Sequence, residues 1–424
     1  MTLKRTSAAN YGIDVERVCP HAVKVIKTLH EAGFKAYLVG GGIRDMLLGL
    51  VPKDFDVSTD ARPEEVVKLF RRARIIGRRF RIVHVQFGRE IIEVTTFRGH
   101  HVEDHPHAVA SSTGQLLRDN VFGSLEEDAI RRDFTVNSLY YDLETNEVLD
   151  FACALRDLED RKIRVIGDPE QRYREDPVRI LRAIRFAAKL NFEIEPDSAA
   201  PLYVAADMLE HVPTARLFDE VNKLLLSGYG EAVWFKLKEY QLLPRLFPLI
   251  DEALQQEHML IQALINTDLR IGEGKGINPA FFYAVLLWLP LQNRIKSFLE
   301  EGLDNTAAFT RAAQEVISAQ LAVTSISKRF TLVMREIWGL QSQLGRRSGQ
   351  RAARNVQQLR FRAAYDFLLL REQCGEDTGD LGQWWTEYQD ADTQQRQKMV
   401  SELAPQSGRR NRYRNRKARH NADS

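Results

Sequence analysis

Along the first third of the chain the apolar positions switch between helical and strand spacing. Val23 to Glu31 carries a helical period with Pro20 near its start. A short apolar run, Tyr37-Leu38-Val39, follows and ends in three glycines, Gly40 to Gly42. An amphipathic helix is expected from Ile43, and a turn at Val51-Pro52 leads into Asp54-Phe55-Asp56-Val57. Arg62 to Arg72 reads as a helix with Pro63 in its first turn. Phe80–Phe87 and Glu90–Phe97 read as paired strands around the turn Gly88-Arg89. Between Arg98 and Ser124 the apolar pattern fails, which predicts a mobile loop. His100, His101, His105 and His107 lie there, but ligands on a flexible loop lack the second shell that would fix a metal.

Beyond Leu155 the pattern is almost wholly helical: Asp176–Leu190, Ser198–Leu209, Thr214–Leu226, Glu231–Tyr240, and on to about Arg371, with a loop at Gly272–Asn278. The expected architecture is α+β, a small mixed sheet with helices on one face followed by an all-α part. Its expected divisions are an N-terminal extension (1–19), a head (20–152), a helical neck (153–235), a helical body (236–405) and a disordered basic tail (406–424).

Composition narrows the classes. The 424 residues are 44% hydrophobic and 28% charged, the profile of a globular protein too long for one core. Ala280–Leu291, the longest apolar stretch, is too short to span a bilayer and reads as a buried helix ending at Pro290. No secretory signal is visible. Three scattered cysteines, Cys19, Cys153 and Cys374, suit a reducing cytoplasm and lead to the expectation of neither a disulfide framework nor a Cys-based zinc site. Net charge is +2 but unevenly placed: from Arg409 onward there are seven Lys or Arg and one acid, a local +6 that leaves about −4 elsewhere. Such a run attracts polyanions by releasing their counterions, which makes Arg409, Arg410, Arg412, Arg414, Arg416, Lys417 and Arg419 candidate RNA contacts. Gly345–Arg354 forms a second basic patch, either an RNA track or a solvated helix end.

The chemistry concentrates between Ala36 and Thr59. Residues two apart on a strand share a face, so Asp54 and Asp56 should project together while Phe55 and Val57 turn to the core. Paired carboxylates repel unless a divalent cation lies between them. Glycines before a helix let a polyphosphate approach the backbone. Together these features indicate phosphoryl or nucleotidyl transfer.

At that point the residues resemble a known family. Leu38–Gly49 (LVGGGIRDMLLG) followed by Lys53–Thr59 (KDFDVST) is similar to the signature of polymerase-β-like nucleotidyltransferases, in the class of bacterial tRNA CCA-adding enzymes and bacterial poly(A) polymerases. Glu127–Ser138 (EDAIRRDFTVNS) resembles the second motif of that class, with Ser138 where Ala is usual. Arg174–Arg182 (REDPVRILR) resembles its base-reading motif, and the basic segment Ile75–Val85 is similar to that of the poly(A) polymerases. The resemblance implies a nucleotidyltransferase head and a two-metal Mg2+ site. Asp54 and Asp56 would be its bridging ligands, and Glu93 a third carboxylate on a neighbouring strand. Asp133 is a second candidate, near the metals or orienting Arg131 and Arg132. It further implies ATP bound by Gly41, Arg44 and Arg132, with the base read by Asp176, Arg179 and Arg182 and Arg216 and Glu220 as buttresses. Neck and body would bind RNA.

The implied function is template-independent addition of AMP from ATP to single-stranded RNA 3′ ends, with release of pyrophosphate and RNA decay as its consequence. The alternatives are a CCA-adding enzyme, which would also take CTP and stop after three nucleotides, and a non-catalytic RNA-binding adaptor. Retention of two repelling carboxylates argues against the adaptor.

Overall fold

The computed structural model describes residues 3–77, 81–99, 108–110, 116–119 and 121–403. The other positions, including most of the histidine-rich segment and the arginine-rich tail, lie outside the described residues. Among the described residues ten strands precede residue 151: β1 (Lys4–Ser7), β2 (Ala36–Val39), β3 (Asp56–Thr59), β4 (Ala73–Ile76), β5 (Ile82–Phe87), β6 (Glu90–Thr96), β7 (Ala108–Ala110), β8 (Leu116–Asp119), β9 (Leu139–Asp142) and β10 (Glu147–Asp150). Eight of them form one sheet in the order β1-β10-β9-β2-β3-β6-β5-β4. The β3–β6 pair is parallel and its neighbours are antiparallel, so the sheet is mixed.

Local pattern accounts for most of this. β6 alternates, burying Ile92, Val94 and Thr96 while Glu93 and Thr95 face outward. β5 pairs with it across Gly88, whose φ of +61° suits a tight turn. Helix α1 (Pro20–Glu31) starts on a proline and buries Ala22, Val25, Ile26 and Leu29, one stripe at helical spacing, against β2 and β3. Helices α2 (Gly41–Leu47), α3 (Pro63–Leu69), α4 (Leu125–Arg131), α5 (Ala154–Glu159), α6 (Pro169–Glu175) and α7 (Val178–Leu190) follow.

Five expectations need correction. The helix expected from Ile43 begins at Gly41. The helix expected to Arg72 ends at Leu69, because Ala73–Ile76 is claimed by the edge of β5, where Ile75 faces Val83. The segment read as a structureless loop contains β7 and β8, which pair with each other. Ser198–Leu209 is broken into Pro196–Ala199, Leu202–Ala205 and a 3-10 turn Ala206–His211, since Pro201 has no N–H to continue the ladder. The apolar run Ala280–Leu291 likewise belongs to two helices, Pro279–Leu286 and Trp288–Glu300, with Pro290 in the first turn of the second.

The chain divides into two compact units, 1–225 with 232–246 and 226–231 with 247–424. The described part of the second unit beyond residue 247 is helical, with a core around Trp385, Phe361, Tyr365 and Leu368. Two of its indoles are paired, Trp338 donating to the Ala284 carbonyl at 3.0 Å and Trp385 to that of Leu344 at 3.1 Å, while the buried Nε1 of Trp288 has no hydrogen-bond partner among the described residues. Among the described residues no helix is long and apolar enough to cross a membrane.

In the first unit a single carboxylate joins the end of the sheet to the helices that follow. Asp150, only 2% exposed, accepts from the amides of Ala152 (3.0 Å), Ala154 (2.9 Å) and Leu155 (3.0 Å). It thereby satisfies the start of α5, whose preceding residue Cys153 has φ +59° and no capping side-chain bond. Asp150→Ala strands three buried donors and should lower unfolding stability by roughly 3 kcal/mol. Urea denaturation of the two proteins measures this, and an unchanged midpoint would show that water replaces the carboxylate.

Candidate active site

The glycine turn after β2 is shaped by what it must pass. Gly40 has φ +80°, a conformation side chains resist, and a Cβ there would meet the Arg132 guanidinium at 3.6 Å. A Cβ on Gly42 would lie 3.1 Å from the Asp54 carbonyl and 3.3 Å from the Phe55 ring. Gly42 therefore lets the start of α2 close onto the carboxylate segment, a packing role that the phosphate-cradle expectation missed. Gly41 faces Arg44, with the guanidinium 3.3 Å from a Cβ placed there.

Strand register then lines up the acids. Val39 is opposite Asp56, Asp56 is opposite Glu93, and Glu93 is opposite His84, so β2, β3, β6 and β5 carry a row across the sheet. Asp54 lies just before β3, outside the strand expected to hold both aspartates, and is exposed, while Asp56 opens β3 half-buried. Burial and the charge of Glu93, with a further push from Asp54, raise the Asp56 carboxyl from its ordinary value to about 6, against the pull of Arg132. Three acids thus share one field. They do not gather within the 4.8 Å that marks the Cys19–His21–Glu90 group, as mutually repelling carboxylates do not. All their donors are oxygens, the set preferred by a hard cation such as Mg2+.

His84 gave no signal in the sequence beyond its place in a strand. Its Nε2 is 3.2 Å from Glu93 Oε1, and its Nδ1 is buried without a hydrogen-bond partner. With Nε2–H donating, the imidazole orients Glu93 toward Asp56.

A second buried acid, Asp128 in the first turn of α4, organises the arginines. It accepts from Tyr140 Oη at 2.6 Å, the Arg98 amide at 3.1 Å, Ser58 Oγ at 3.2 Å and Arg132 Nη2 at 3.3 Å. Arg132 also donates through Nε to Tyr140 Oη at 3.0 Å and lies over that ring. This fixes it beside Gly40 and within the field of Asp56.

Arg44, expected to grip the triphosphate, is held by protein partners. It is 3% exposed and donates to Asp45 Oδ1 through Nε (2.8 Å) and Nη2 (2.6 Å), and to Asn137 Oδ1 through Nη1 (2.6 Å). Lys189 of α7 holds the other Asp45 oxygen at 3.2 Å. Arg44 in this arrangement braces α2 against the second motif and α7.

Asp133, a candidate either near the metals or orienting Arg131 and Arg132, pairs with a further arginine, Arg182. Burial would raise its carboxyl, but the charge and hydrogen bonds of Arg182, with Asn137 and the Phe134 amide, bring it down to about 2. Arg182 Nε is 2.6 Å from Asp133 Oδ2, so the two motifs are joined by an ion pair. Asp176, Arg179 and Arg182, expected on one helical face, are not so placed. Asp176 caps the end of α6, one residue before Pro177. Arg216, from the helix Thr214–Leu225, grips both its oxygens at 2.8 Å. Arg179 turns back to the Arg172 carbonyl (2.7 Å) and Glu175 (3.2 Å). Glu220 receives Lys223 at 2.9 Å and lies 3.7 Å from Arg185.

Comparison with known proteins identifies the chain's relatives. Three family models match in order: the poly A polymerase head domain over residues 36–164, the probable RNA and SrmB-binding site of polymerase A over 191–254, and the polymerase A arginine-rich C-terminus over 301–419. The poly(A) polymerase I of Salmonella typhimurium is 46% identical over 405 residues, spanning 93% of this chain and 87% of its own length. That of Haemophilus influenzae is 43% identical over 406 residues, 93% of this chain and 90% of its own. A CCA-adding enzyme of Streptococcus suis is 37% identical over 234 residues, only 54% of this chain. Among solved structures, a tRNA-processing enzyme with CTP aligns with a TM-score of 0.60 at 24% identity, covering 89% of this chain and 96% of its own, which shows a shared fold. The chain belongs to the poly(A) polymerase family of bacterial nucleotidyltransferases.

Proposed function

We propose that the protein transfers AMP from ATP to the 3′ end of single-stranded RNA without a template, at a Mg2+ site formed by Asp54, Asp56 and Glu93. The observation that carries this reading is the row Asp56–Glu93–His84, set by strand register, in a chain that matches poly(A) polymerases over nearly its whole length. Two Mg2+ ions, when bound, would lower the pKa of the attacking hydroxyl and steady the triphosphate. The chain's own residues do the rest. Gly41 lets phosphate near the start of α2, and Arg132, anchored by Asp128 and Tyr140, offers fixed positive charge beside the acids. Asp176, with both oxygens held by Arg216, is an acceptor for an exocyclic amino group, while Arg179 and Arg182 remain donor candidates on α7. The arginine-rich tail from Arg409 to Arg419 would hold RNA by charge. Three cysteines that form no disulfide are in keeping with a cytoplasmic setting.

Incubating the protein with RNA and each labelled nucleotide separately tests the reaction. ATP alone should give long ladders, and incorporation of CTP ending after three nucleotides would favour CCA addition instead. Asp54→Ala or Asp56→Ala should lower incorporation by several orders of magnitude with RNA affinity little changed, because these groups act on the transition state.

The strained acid cluster gives a pH signature. A carboxyl raised to about 6 in the folded protein contributes stability that is present below its unfolded value and is lost as pH rises through 6. Without metal, stability should therefore fall from pH 4 to 7 by up to about 3 kcal/mol relative to Asp56→Asn. Over the same range Mg2+ affinity should rise. Calorimetric melts with and without Mg2+ check both, and parallel pH profiles for the two proteins would exclude the coupling.

Base choice offers a separate test. Arg216→Ala frees the Asp176 carboxylate from its fixed plane and should blur the preference for ATP over GTP and CTP. Retained selectivity with only a lower melting temperature would place base reading elsewhere.

A further inference from the structure

The start of α1 and the start of β6 meet at a cluster that nucleotide transfer does not use. Cys19 immediately precedes α1, His21 is its second residue, and Glu90 is the first residue of β6. The Cys19 Sγ lies 3.8 Å from Glu90 Oε2, and His21 Nδ1 lies 2.5 Å from the same oxygen. The three ligand atoms all fall within 4.8 Å of one another, and among the described residues no other set of three does so. The His21 ring is held in plane by stacking on Phe87, with centroids 4.6 Å apart and 15° between planes. Pro20 between the two α1 ligands restrains their spacing. The Gly88 turn, at φ +61°, sets the position of Glu90.

We infer that Cys19, His21 and Glu90 bind one divalent cation of the zinc class, with water completing a tetrahedral shell. Thiolate, imidazole and carboxylate are the mixed S, N and O donors that Zn2+ accepts, and three protein ligands at a solvent-accessible site leave the fourth position to water. One thiolate and one carboxylate balance the dication. Binding breaks the Cys19 S–H bond, releases that proton to solvent, and forms the metal–sulfur bond. The His21 Nδ1–H···Glu90 hydrogen bond is broken, its proton passes through solvent to Nε2 so that the imidazole binds as the neutral tautomer, and Nδ1 and Oε2 each form a metal bond.

An ordinary exposed His–Glu pair would explain two of the three residues, at well under about 1 kcal/mol. It gives no reason for a thiol to stand in the same group. The donors also separate this site from the acid cluster: all-oxygen ligands at Asp54, Asp56 and Glu93 suit Mg2+, while sulfur and nitrogen ligands select Zn2+. Glu90 and Glu93 lie on the same strand, so the cation would fasten to α1 the strand that carries the third carboxylate.

The test uses the full-length chain stripped of metal and titrated with Co2+ as a spectroscopic probe, then with Zn2+. One equivalent of Co2+ should produce a thiolate-to-cobalt charge-transfer band that equimolar Zn2+ removes, and Zn2+ should raise the melting temperature. Cys19→Ser should abolish the band and weaken Zn2+ binding by roughly tenfold or more, while metal-free melting stays close to that of the parent. His21→Ala and Glu90→Gln should each weaken binding. Cys153→Ser, Cys374→Ser and Asp54→Ala should all keep the band, which separates this site from the other thiols and from the proposed catalytic acids. Absence of a charge-transfer band in the parent, or a band and affinity unchanged in Cys19→Ser, would overturn the assignment. Mg2+-supported addition in Cys19→Ser should match the parent, so a failed metal titration leaves the proposed reaction standing.

Discussion

A buried carboxylate that cannot be left alone holds the first unit together. Asp128 is 5% exposed and has four partners drawn from four places in the chain: Ser58 on β3, the Arg98 backbone, Arg132 after α4 and Tyr140 on β9. Removing one member of such a buried, fully paired group costs several kcal/mol, because the remaining charge has no water to turn to. Asp128 therefore fixes the distance between the sheet and the guanidinium beside the glycine turn. The same logic recurs at Asp133 with Arg182, Asp45 with Arg44 and Lys189, and Asp176 with Arg216. The three sequence motifs are neighbours in space because each supplies a charge that another buries.

Against this satisfied framework, the row Asp54, Asp56 and Glu93 is the exception. Elsewhere in the first unit buried acids have cationic or amide partners, and Asp133 is held far below the ordinary carboxylate range by them. Asp56 instead is pushed upward by burial and by two like charges, with Arg132 offsetting part of the push. A fold that pairs its other buried acids and leaves this group in mutual repulsion has a place where a cation gains binding energy on arrival. His84 adds direction, since its Nε2, 3.2 Å from Glu93 Oε1, restrains the carboxylate nearest to it.

Much of this was legible in the order of residues. The alternation in Glu90–Thr96, the stripe of α1 and the turn at Gly88 are local patterns, and local patterns decided those elements. The carboxylate pair and the glycines could be read because their chemistry is short-range in sequence. What could not be read depends on partners far along the chain. Nothing near Asp176 announces that Arg216, forty residues later, takes both its oxygens. Nothing near Arg44 announces that Asn137 and Asp45 enclose it. Helical spacing made Asp176, Arg179 and Arg182 look like one face, but Pro177 interrupts the backbone between α6 and α7 and sends each side chain to a different partner. β4 was missed for a similar reason: Ala73–Ile76 is extended because a sheet edge is available to pair with it.

The parallel pairing of β3 and β6 has a consequence for how this chain can vary in length. Asp56 and Glu93 face one another only because Val57, Ser58 and Thr59 pair in register with Val94, Thr95 and Thr96. Side chains on a strand alternate faces, so inserting or deleting one residue in β6 ahead of Glu93 would carry that carboxylate through the sheet to the apolar side. A change of two would restore the face but move the carboxylate along the strand by the rise of two residues, roughly 7 Å. The strand is in effect a ruler with one usable mark. Point substitutions on it are open to compensation, but changes of length are not, and they are confined to the turns and to the long connection between β6 and α4.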